Sequence, residues 1–353
     1  MEDGHLFEYT GNLHIHTVYS DGGGTVEDIV KAARKVGLDF IILNDHSYST
    51  QLHIEDEGYH KGILALVGSE IGHRFHHYLA FNIKRQIDDK NFSPQEVIDE
   101  VNRQGGFGFL AHPFEKGMPF LDNSKAYTWN DWSVKGYTGI CIWNFTSRWK
   151  ENVKTIWHGI FHLFLKKYTV KGPSKETMTK WDELCLKRQV AAIGGSDAHG
   201  ASVKIGFLKI KPFSYKYLLG TINTHILTHS PLEGDEKTDK DIIYNALREG
   251  SCFIAHDSIY PARGFKFYFT KDKDKKRHEM GREKKFGPGV IVIKSPAYGL
   301  IRIIRDGLLF KETYGSRLSV KIHKKGVYRA EVFRKMPPFG MRPWIFSNPI
   351  YLR

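Results

Sequence analysis

The chain has 353 residues, of which 41% are hydrophobic and 26% are charged, and its formal net charge is +13. This length exceeds the size at which one hydrophobic core usually stops growing, so a large domain with a smaller one is expected. No stretch approaches the roughly 20 apolar residues of a membrane-spanning helix, and the first residues lack the pattern of a secretory signal. We therefore expect a cytoplasmic protein that does not bind membranes.

Short apolar runs alternate with helical patterns up to about residue 200. TVEDIVKAARKVG predicts a helix that Thr25 caps and Gly37 ends, and PQEVIDEVNRQGG, which begins at Pro94, repeats the design. Several runs are almost continuously apolar, as is typical of parallel strands buried on both faces. The pattern predicts an α/β barrel or a doubly wound sheet. The runs are LHIH, FIILN, ILALVG, HYLAFN, FGFLA, GICIWN and VAAIGG.

After about residue 260 the runs are strand-like only, and Gly, Pro and Asp-Gly interrupt them. Arg305-Asp306-Gly307 reads as a hairpin turn. A small all-β sandwich is predicted for this part of the chain. The predicted division is a domain of residues 1–260, with a Trp-rich helical insertion around 145–188, and a β-sandwich domain of residues 261–353.

The three cysteines, Cys141, Cys185 and Cys252, lie far apart and form no CxxC pair. This spacing argues against a thiolate zinc site and against a disulfide framework. Buried free thiols are expected.

Imidazoles and carboxylates recur where the predicted strands end. His14 and His16 alternate on one strand, so both side chains face the same side. In barrels of alternating strands and helices, sites are built at these C-terminal strand ends. Imidazole and carboxylate ligands suit Zn, Mn and Fe, so a metal site is predicted. The other residues at strand ends are Asp45, His46, Glu70, His112, Asp197 and His199, while His77 opens its run.

The segments HIHTVYSDG, NDH, GSE, HHYLAF, AHP and GGSDAH occur in an order that resembles the motif set of the PHP (polymerase and histidinol phosphatase) metallohydrolases. The resemblance spans roughly residues 12 to 200. It implies a distorted seven-stranded (β/α) barrel that holds three divalent metals, with Mn, Zn and Fe as the candidates. GICIWN, the insertion, GGSDAHG and the SNPIYL tail are similar to the subgroup that includes carbaryl hydrolases.

The resemblance also implies which residues bind each metal. The first metal would be held by His14, His16, Glu70 and Asp197. The second would be held by Glu70, His77 and His112, and the third by Asp21, His46 and His199. Asp45 is expected to orient His46 or to cap the strand end rather than to bind metal.

Such a site would attract anions and acidify bound water, so we predict a phosphoesterase in which hydroxide on the metals attacks phosphorus. Glu70, Asp197 and His199 are the predicted catalytic residues, and Asp197 or His199 would move the proton. The predicted substrate is a small anionic phosphate ester. Its phosphate would be contacted by Arg74, Lys116 and Arg148.

Three other functions fit the same residues. A carbamate or carboxylic ester hydrolase is suggested by the subgroup and by the Trp-rich insertion. The six tryptophans between Trp129 and Trp181 either wall a substrate pocket or pack an added layer. A 5'-3' nuclease is permitted by the basic charge, although nucleic acid is not the favoured partner. A metal-stabilised binding module without turnover is the third alternative. The sequence leaves the oligomeric state open.

Overall fold

A computed structural model describes residues 6–72, 75–87, 89–120, 126–200, 203–205, 208–210, 212–271 and 276–353. The fold is a mixed α/β structure with a large sheet. The strands up to residue 256 are β1 (Phe7–Ile15), β2 (Phe40–Leu43), β3 (Gly58–His60), β4 (Ile63–Ile71), β5 (Tyr78–Phe81), β6 (Phe107–Leu110), β7 (Gly139–Asn144), β8 (Ala191–Gly195), β9 (Val203–Ile205), β10 (Leu208–Ile210), β11 (Ile222–Thr228) and β12 (Cys252–His256). The helices are α1 (Val26–Val36), α2 (Pro94–Arg103), α3 (Phe145–Lys150), α4 (Ile156–Phe164), α5 (Lys166–Thr169), α6 (Lys175–Lys187), α7 (Tyr215–Leu219) and α8 (Glu236–Glu249).

The helix boundaries follow the capping residues. The Thr25 hydroxyl accepts a hydrogen bond from the Asp28 amide at 3.3 Å, and Gly37 adopts a left-handed conformation with φ 76° after α1. Pro94 opens α2 behind the Ser93 cap. The predicted beginnings of both helices are therefore confirmed.

Seven strands are connected edge to edge in the order β1, β2, β4, β5, β6, β7 and β8. The pairs β1–β2, β2–β4, β6–β7 and β7–β8 are parallel, as the apolar runs predicted. An isolated parallel bridge joins Ile15, at the end of β1, to Ala198, which follows β8. The pairing thus brings the C-terminal ends of β1 and β8 together.

The expectation of parallel strands is wrong for β5, which pairs antiparallel with both β4 and β6. The connection from β4 to β5 spans only residues 72–77, whereas a parallel crossover needs a dozen or more residues. This reversal explains why His77 immediately precedes its strand yet lies at the same edge as residues at the ends of other strands.

Only strands follow residue 260 in the part of the chain that the structure describes. They are β13 (Lys266–Lys271), β14 (Arg277–Glu279), β15 (Glu283–Lys284), β16 (Gly289–Arg305), β17 (Leu308–Ile322), β18 (Gly326–Lys335), β19 (Met341–Ser347) and β20 (Ile350–Leu352). Asp306 and Gly307, with φ 53° and 81°, form the predicted hairpin turn between β16 and β17. β19 pairs with β12, so these strands continue the hydrogen-bonded network of the preceding ones.

The apolar core forms three clusters. One includes the buried faces of α1 and α2 and the fully buried Trp143 and Trp181. A second consists of residues of β1, β2, β4 to β8, β11, β12 and α8, and a third consists mainly of residues of the strands after residue 260. Cys141, Cys185 and Cys252 are buried free thiols, as predicted. Among the described helices, none combines the length and the apolar character that a membrane crossing requires.

Candidate metal centre

Polar side chains from many strand ends meet at one buried position. His14 lies in β1 and His16 directly follows it, and their rings, both fully buried, have centroids 5.1 Å apart. The remaining members of this group, here called the His/carboxylate cluster, are Asp21, His46, Glu70, His77, His112, Asp197 and His199. The structure therefore brings together all nine residues predicted as metal ligands.

Glu70, on β4, occupies the centre of the cluster. Its Oε2 atom lies 3.2 Å from His14 Nε2, 3.3 Å from His16 Nε2 and 3.2 Å from His46 Nδ1. Its Oε1 atom lies 2.8 Å from His77 Nδ1 and 3.1 Å from His112 Nε2. One carboxylate is thus shared by five imidazoles, two of them on one oxygen and three on the other.

Two further carboxylates flank Glu70. Asp197 Oδ1 lies 3.6 Å from His14 Nε2, 3.4 Å from His16 Nε2 and 3.4 Å from His199 Nδ1. Asp21 approaches His16, His46 and His199 at 3.5, 3.6 and 3.3 Å. About half of the Asp21 side chain is exposed, so this edge of the cluster opens to solvent.

The ring nitrogens of the cluster fit a metal better than they fit hydrogen bonds. His14 and His16 each have two buried nitrogens without a hydrogen-bond partner, and His46, His77 and His112 have one each. Buried polar atoms normally have partners and an imidazole binds a metal through one nitrogen, so these five rings point to a missing ligand. Metal–ligand distances of about 2.0–2.2 Å place neighbouring ligand atoms roughly 3.0–3.5 Å apart, which matches the spacings around Glu70.

Four overlapping groups of potential ligand atoms each lie within 4.8 Å of one another. They are His16, Asp21, His46 and His199; His14, His16 and Glu70; His14, His112 and Asp197; and His46, Glu70 and His77. Because the groups share members, the cluster offers more than one position for a divalent ion.

Charge complementarity governs the protonation of the cluster. Burial alone would raise the pKa values of Glu70 and Asp197, but the surrounding imidazoles hold both pKa values well below their usual range. Burial would lower the pKa of His16, yet Asp197 and Glu70 raise this pKa well above its ordinary value. The carboxylates are therefore ionised and ready to bind cations.

The backbone is strained at two members of the cluster. His112 has φ 25° and Asp197 has φ 54°, in the left-handed region that non-glycine residues seldom adopt. The Tyr215 hydroxyl proton is shared between the carbonyl oxygens of His16 and His199, which lie 2.7 and 3.0 Å from the hydroxyl oxygen, so Tyr215 links the segments that follow β1 and β8. Strain of this kind is typical of sites whose side chains must point in a set direction.

The proposed phosphate-contacting residues do not gather around the cluster. Arg74 lies outside the described residues. The Lys116 ammonium pairs with Glu176 at 2.7 Å, and both side chains are about half exposed. Arg148 pairs with Glu151 and donates a hydrogen bond to the Gly172 carbonyl at 2.9 Å. Arg148 and His112 both line a small cavity of about 20 Å³.

Neighbouring histidines and carboxylates have other roles. His76 is half-buried and bonds Asn130, whereas His77 is buried in the cluster. Asp45 lies beside the cluster and accepts hydrogen bonds from the Thr17 amide at 2.8 Å and the Thr17 hydroxyl at 2.9 Å. It thus holds the turn that follows β1. His256 is buried against Trp143 and Phe145, away from the cluster.

Sequence reasoning missed two residues that orient the cluster. Asn144 donates a hydrogen bond from Nδ2 to Asp197 Oδ2 at 3.2 Å. Buried Glu115 lies 3.5 Å from His112 Nδ1. Asn144 ends the apolar run GICIWN, which is the same strand-end signal that revealed the other residues, and Glu115 lies three residues after His112.

A largely apolar cleft of about 590 Å³ adjoins the cluster. Asp21, Asp197 and His199 form one end of this cleft, which we call the apolar cleft. Its other lining residues are Met118, Phe120, Phe145, Thr146, Trp149, Lys150, Val153, Gly159, Ile160, Leu163, Gly200, Pro212, Phe213 and Leu218. Of the six tryptophans in and before the insertion, Trp149 lines it, whereas Trp129, Trp143 and Trp181 are buried in the core.

No family model matches the sequence. The uncharacterized protein MJ1587 of Methanocaldococcus jannaschii is 30% identical over 116 residues, which cover 29% of this chain and 67% of that protein. A solved two-domain protein from Bacteroides vulgatus, described as containing a predicted PHP-like metal-dependent phosphoesterase, is 17% identical, with a TM-score of 0.46 and coverage of 97% of this chain and 95% of that one. PsfC from Pseudomonas syringae is 10% identical, with a TM-score of 0.44 and coverage of 72% and 93%.

Proposed function

We propose that this chain, which belongs to the same family as the Methanocaldococcus jannaschii protein, is a PHP-type metal-dependent hydrolase of phosphate esters. The observation that carries the proposal is the position of Glu70, whose two carboxylate oxygens are shared by five imidazoles. A carboxylate in this position can join two cations. Sites with two metals close together are typical of enzymes that displace groups at phosphorus.

The proposal includes three divalent ions, manganese, zinc or iron. His14, His16, Glu70 and Asp197 would hold the first, Glu70, His77 and His112 the second, and Asp21, His46 and His199 the third. When bound, such ions acidify water and neutralise the charge on phosphoryl oxygens. We also propose that the seven connected strands close into a distorted barrel. The strands after residue 260 would form a separate β-sandwich.

The residues around the ligands keep the carboxylates and imidazoles in place. Asn144 fixes Asp197 through its amide, and Glu115 faces the Nδ1 atom of His112, which sets the direction of that ring. Asp197 and His199 line the apolar cleft, and Asp197 Oδ1 and His199 Nδ1 are 3.4 Å apart. These two side chains are placed to pass a proton between substrate and solvent.

The proposed substrate is a small anionic ester, because an excess of metal charge over carboxylate charge attracts anions. Since Lys116 and Arg148 are engaged by Glu176 and Glu151, the metals rather than these cations would bind the phosphoryl group. The cytoplasm is the proposed location, and its reducing conditions suit the three free thiols.

The test compares Glu70→Gln with Glu100→Gln. Both positions are buried carboxylates, but Glu100 bonds Arg85, Arg103 and Gln104 outside the cluster. Manganese-loaded proteins are assayed with an aryl phosphomonoester, an aryl phosphodiester and an aryl carbamate, and bound metal is measured by elemental analysis. We expect phosphate ester hydrolysis that falls by at least about a hundredfold in Glu70→Gln, together with loss of metal.

Glu100→Gln should keep both its metal content and its rate. Equal rates in wild type and Glu70→Gln would contradict the shared-metal mechanism. The preferred phosphate ester would distinguish a phosphatase from a diesterase.

Hydrolysis of a carbamate or carboxylic ester is the second candidate function. The apolar cleft favours it, because most of the residues that line the cleft are uncharged and suit a neutral substrate. Turnover of the aryl carbamate without turnover of either phosphate ester would establish this alternative.

A further inference from the structure

The structure assigns the apolar cleft to the substrate: we propose that the hydrolysed molecule carries a bulky apolar group that lies there. This inference rests on the proposed function, since the cleft ends at the His/carboxylate cluster. Asp21, Asp197 and His199 belong to both, so a group attached to the reacting centre can extend directly into the cleft.

The walls of the cleft are built by apolar side chains from three elements. Phe145 and Trp149 come from α3, Ile160 and Leu163 come from α4, and Phe213 precedes α7. Together with the other lining residues they make the surface of the cleft largely apolar. Such a surface contributes binding energy only when an apolar partner displaces water from it.

The aromatic rings of the wall are already arranged before any ligand is bound. The ring centroids of Trp149 and Phe213 lie 4.6 Å apart at an interplanar angle of 68°, and those of Phe145 and Phe213 lie 6.4 Å apart at 63°. Edge-to-face contacts of this kind are favourable and hold the rings in place. The cleft is therefore a preformed site, as ligand pockets usually are.

The size of the cleft exceeds what a phosphate group needs. Its volume of about 590 Å³ falls in the range of roughly 300–1,000 Å³ that is typical of pockets for drug-sized ligands. Ile160 and Phe120 line it and remain 41% and 44% exposed, so apolar surface faces the open space of the cleft. A group larger than one ring is needed to cover that surface.

Binding of phosphonates tests the inference without requiring turnover. Methylphosphonate, octylphosphonate and biphenylphosphonate are titrated into manganese-loaded protein by calorimetry, below the micelle concentration of the octyl compound. Each buried methylene contributes about fourfold in affinity, so burial of three or four of them predicts octylphosphonate binding about a hundredfold tighter than methylphosphonate. The heat capacity change should also become more negative.

Helix α4 offers a matched pair of variants. Ile160 lines the cleft, whereas its neighbour Phe161 is 51% exposed and is not part of the lining. Ile160→Asp should weaken octylphosphonate binding at least tenfold and change methylphosphonate binding by less than twofold. Phe161→Asp should change neither. Phe120 also lines the cleft but lies outside α4, so Phe120→Asp provides a second variant that should repeat the effect of Ile160→Asp.

Each result has a defined meaning. Tighter binding of the octyl or the biphenyl compound supports the inference, and the stronger of the two identifies the group as alkyl or aryl. Equal affinities for all three phosphonates, or equal effects of Ile160→Asp and Phe161→Asp, would overturn it even if phosphate esters are hydrolysed. Tight octylphosphonate binding without hydrolysis of any ester would instead contradict the proposed function.

Discussion

Asn144 shows how a single side chain can serve both the fold and the site. Its Oδ1 atom accepts a hydrogen bond from the Ser147 amide at 3.0 Å and thereby caps α3. Its Nδ2 atom donates to Asp197 at 3.2 Å. The helix that walls the apolar cleft and a carboxylate of the cluster are thus positioned by the same residue.

Substitution of Asn144 by serine separates these two roles. Serine also caps helices well, so Asn144→Ser should change the free energy of unfolding of the metal-free protein by less than about 1 kcal/mol. The bond to Asp197 is lost, so metal affinity should fall by about 10–100-fold. Metal titrations of wild type and variant measure this change.

The control is Asp235→Ala, which removes the cap of α8 and touches no member of the cluster. It should lower stability by about 1 kcal/mol and leave metal affinity intact. Similar metal affinities of Asn144→Ser and wild type would show that Asp197 is held by other contacts.

His225 forms a buried charged group that is separate from the cluster. Its Nδ1 and Nε2 atoms donate to Glu8 and Asp257 at 2.8 and 3.0 Å, and its Nδ1 also lies 3.2 Å from the Thr10 hydroxyl. Burial alone would lower the pKa of His225, but Asp257 and Glu8 raise it to about 9. The folded protein therefore holds the His225 proton more tightly than the unfolded chain does.

Stability should consequently depend on pH through His225. Its contribution is complete below the unfolded pKa of about 6.5 and is lost as pH rises through about 9. His225→Gln should lower the free energy of unfolding by about 3 kcal/mol at pH 6 and by clearly less at pH 10. Urea unfolding at both pH values tests this, with exposed His323→Gln as the control that should show no difference at either pH. A penalty for His225→Gln that is the same at both pH values would contradict the raised pKa.

At the scale of elements, close packing of β7 against β8 positions the strand ends. Gly139 begins β7 opposite Ala191, and a Cβ atom on Gly139 would overlap the Ala191 carbonyl oxygen. On β8, a Cβ atom on Gly195 would lie only 3.1 Å from His14 Cβ. Glycine therefore allows β8 to approach both its neighbour in the sheet and the cluster.

Gly139→Ala should force β7 and β8 apart. Overpacking typically lowers stability by 1–3 kcal/mol, and we expect about 2 kcal/mol or more because the overlapping atom is backbone. Thermal unfolding of the metal-free protein measures the change. The matched control is Gly315→Ala in β17, where the nearest atom would lie at an ordinary 3.6 Å and no loss above about 0.5 kcal/mol is expected. Equal melting temperatures for the two variants would show that the sheet accommodates the added methyl group.

At the scale of the whole molecule, the cluster links parts of the chain that are far apart in sequence. Its members come from residues 14 to 199. Cations bound there would therefore connect the ends of β1, β2, β4 and β6, and the start of β5, to the segment that follows β8. Because the unfolded chain cannot present these ligands together, metal binding should stabilise the folded state.

Metal removal should therefore lower thermal stability. A ligand at one hundred times its dissociation constant stabilises the folded state by about 2.7 kcal/mol per site. Manganese should raise the Tm of the wild-type protein, and a chelator should reverse the rise. In Glu70→Gln the rise should be much smaller, whereas in Glu100→Gln it should equal that of wild type. A Tm that does not respond to metal in the wild type would argue against cation binding by the cluster.

The types of the elements and the side chains that end the strands can be read from the sequence alone. Periodicity and capping residues are local, so Thr25 and Pro94 marked helix starts, and the alternation of His14 and His16 put both imidazoles on one face. The strands β1, β2, β4 and β6 to β8 then carried their terminal residues to the same edge.

The remaining features depend on contacts between residues distant in sequence, so they emerge only in the folded protein. The short connection before β5 reversed the direction of that strand. Packing then placed Glu70 between five imidazoles, of which His77 directly precedes β5 and His112 follows β6. The bond from Asn144 to Asp197 spans 53 positions, which no local pattern encodes. The apolar cleft likewise appears only when α3, α4 and the segment before α7 meet above the cluster.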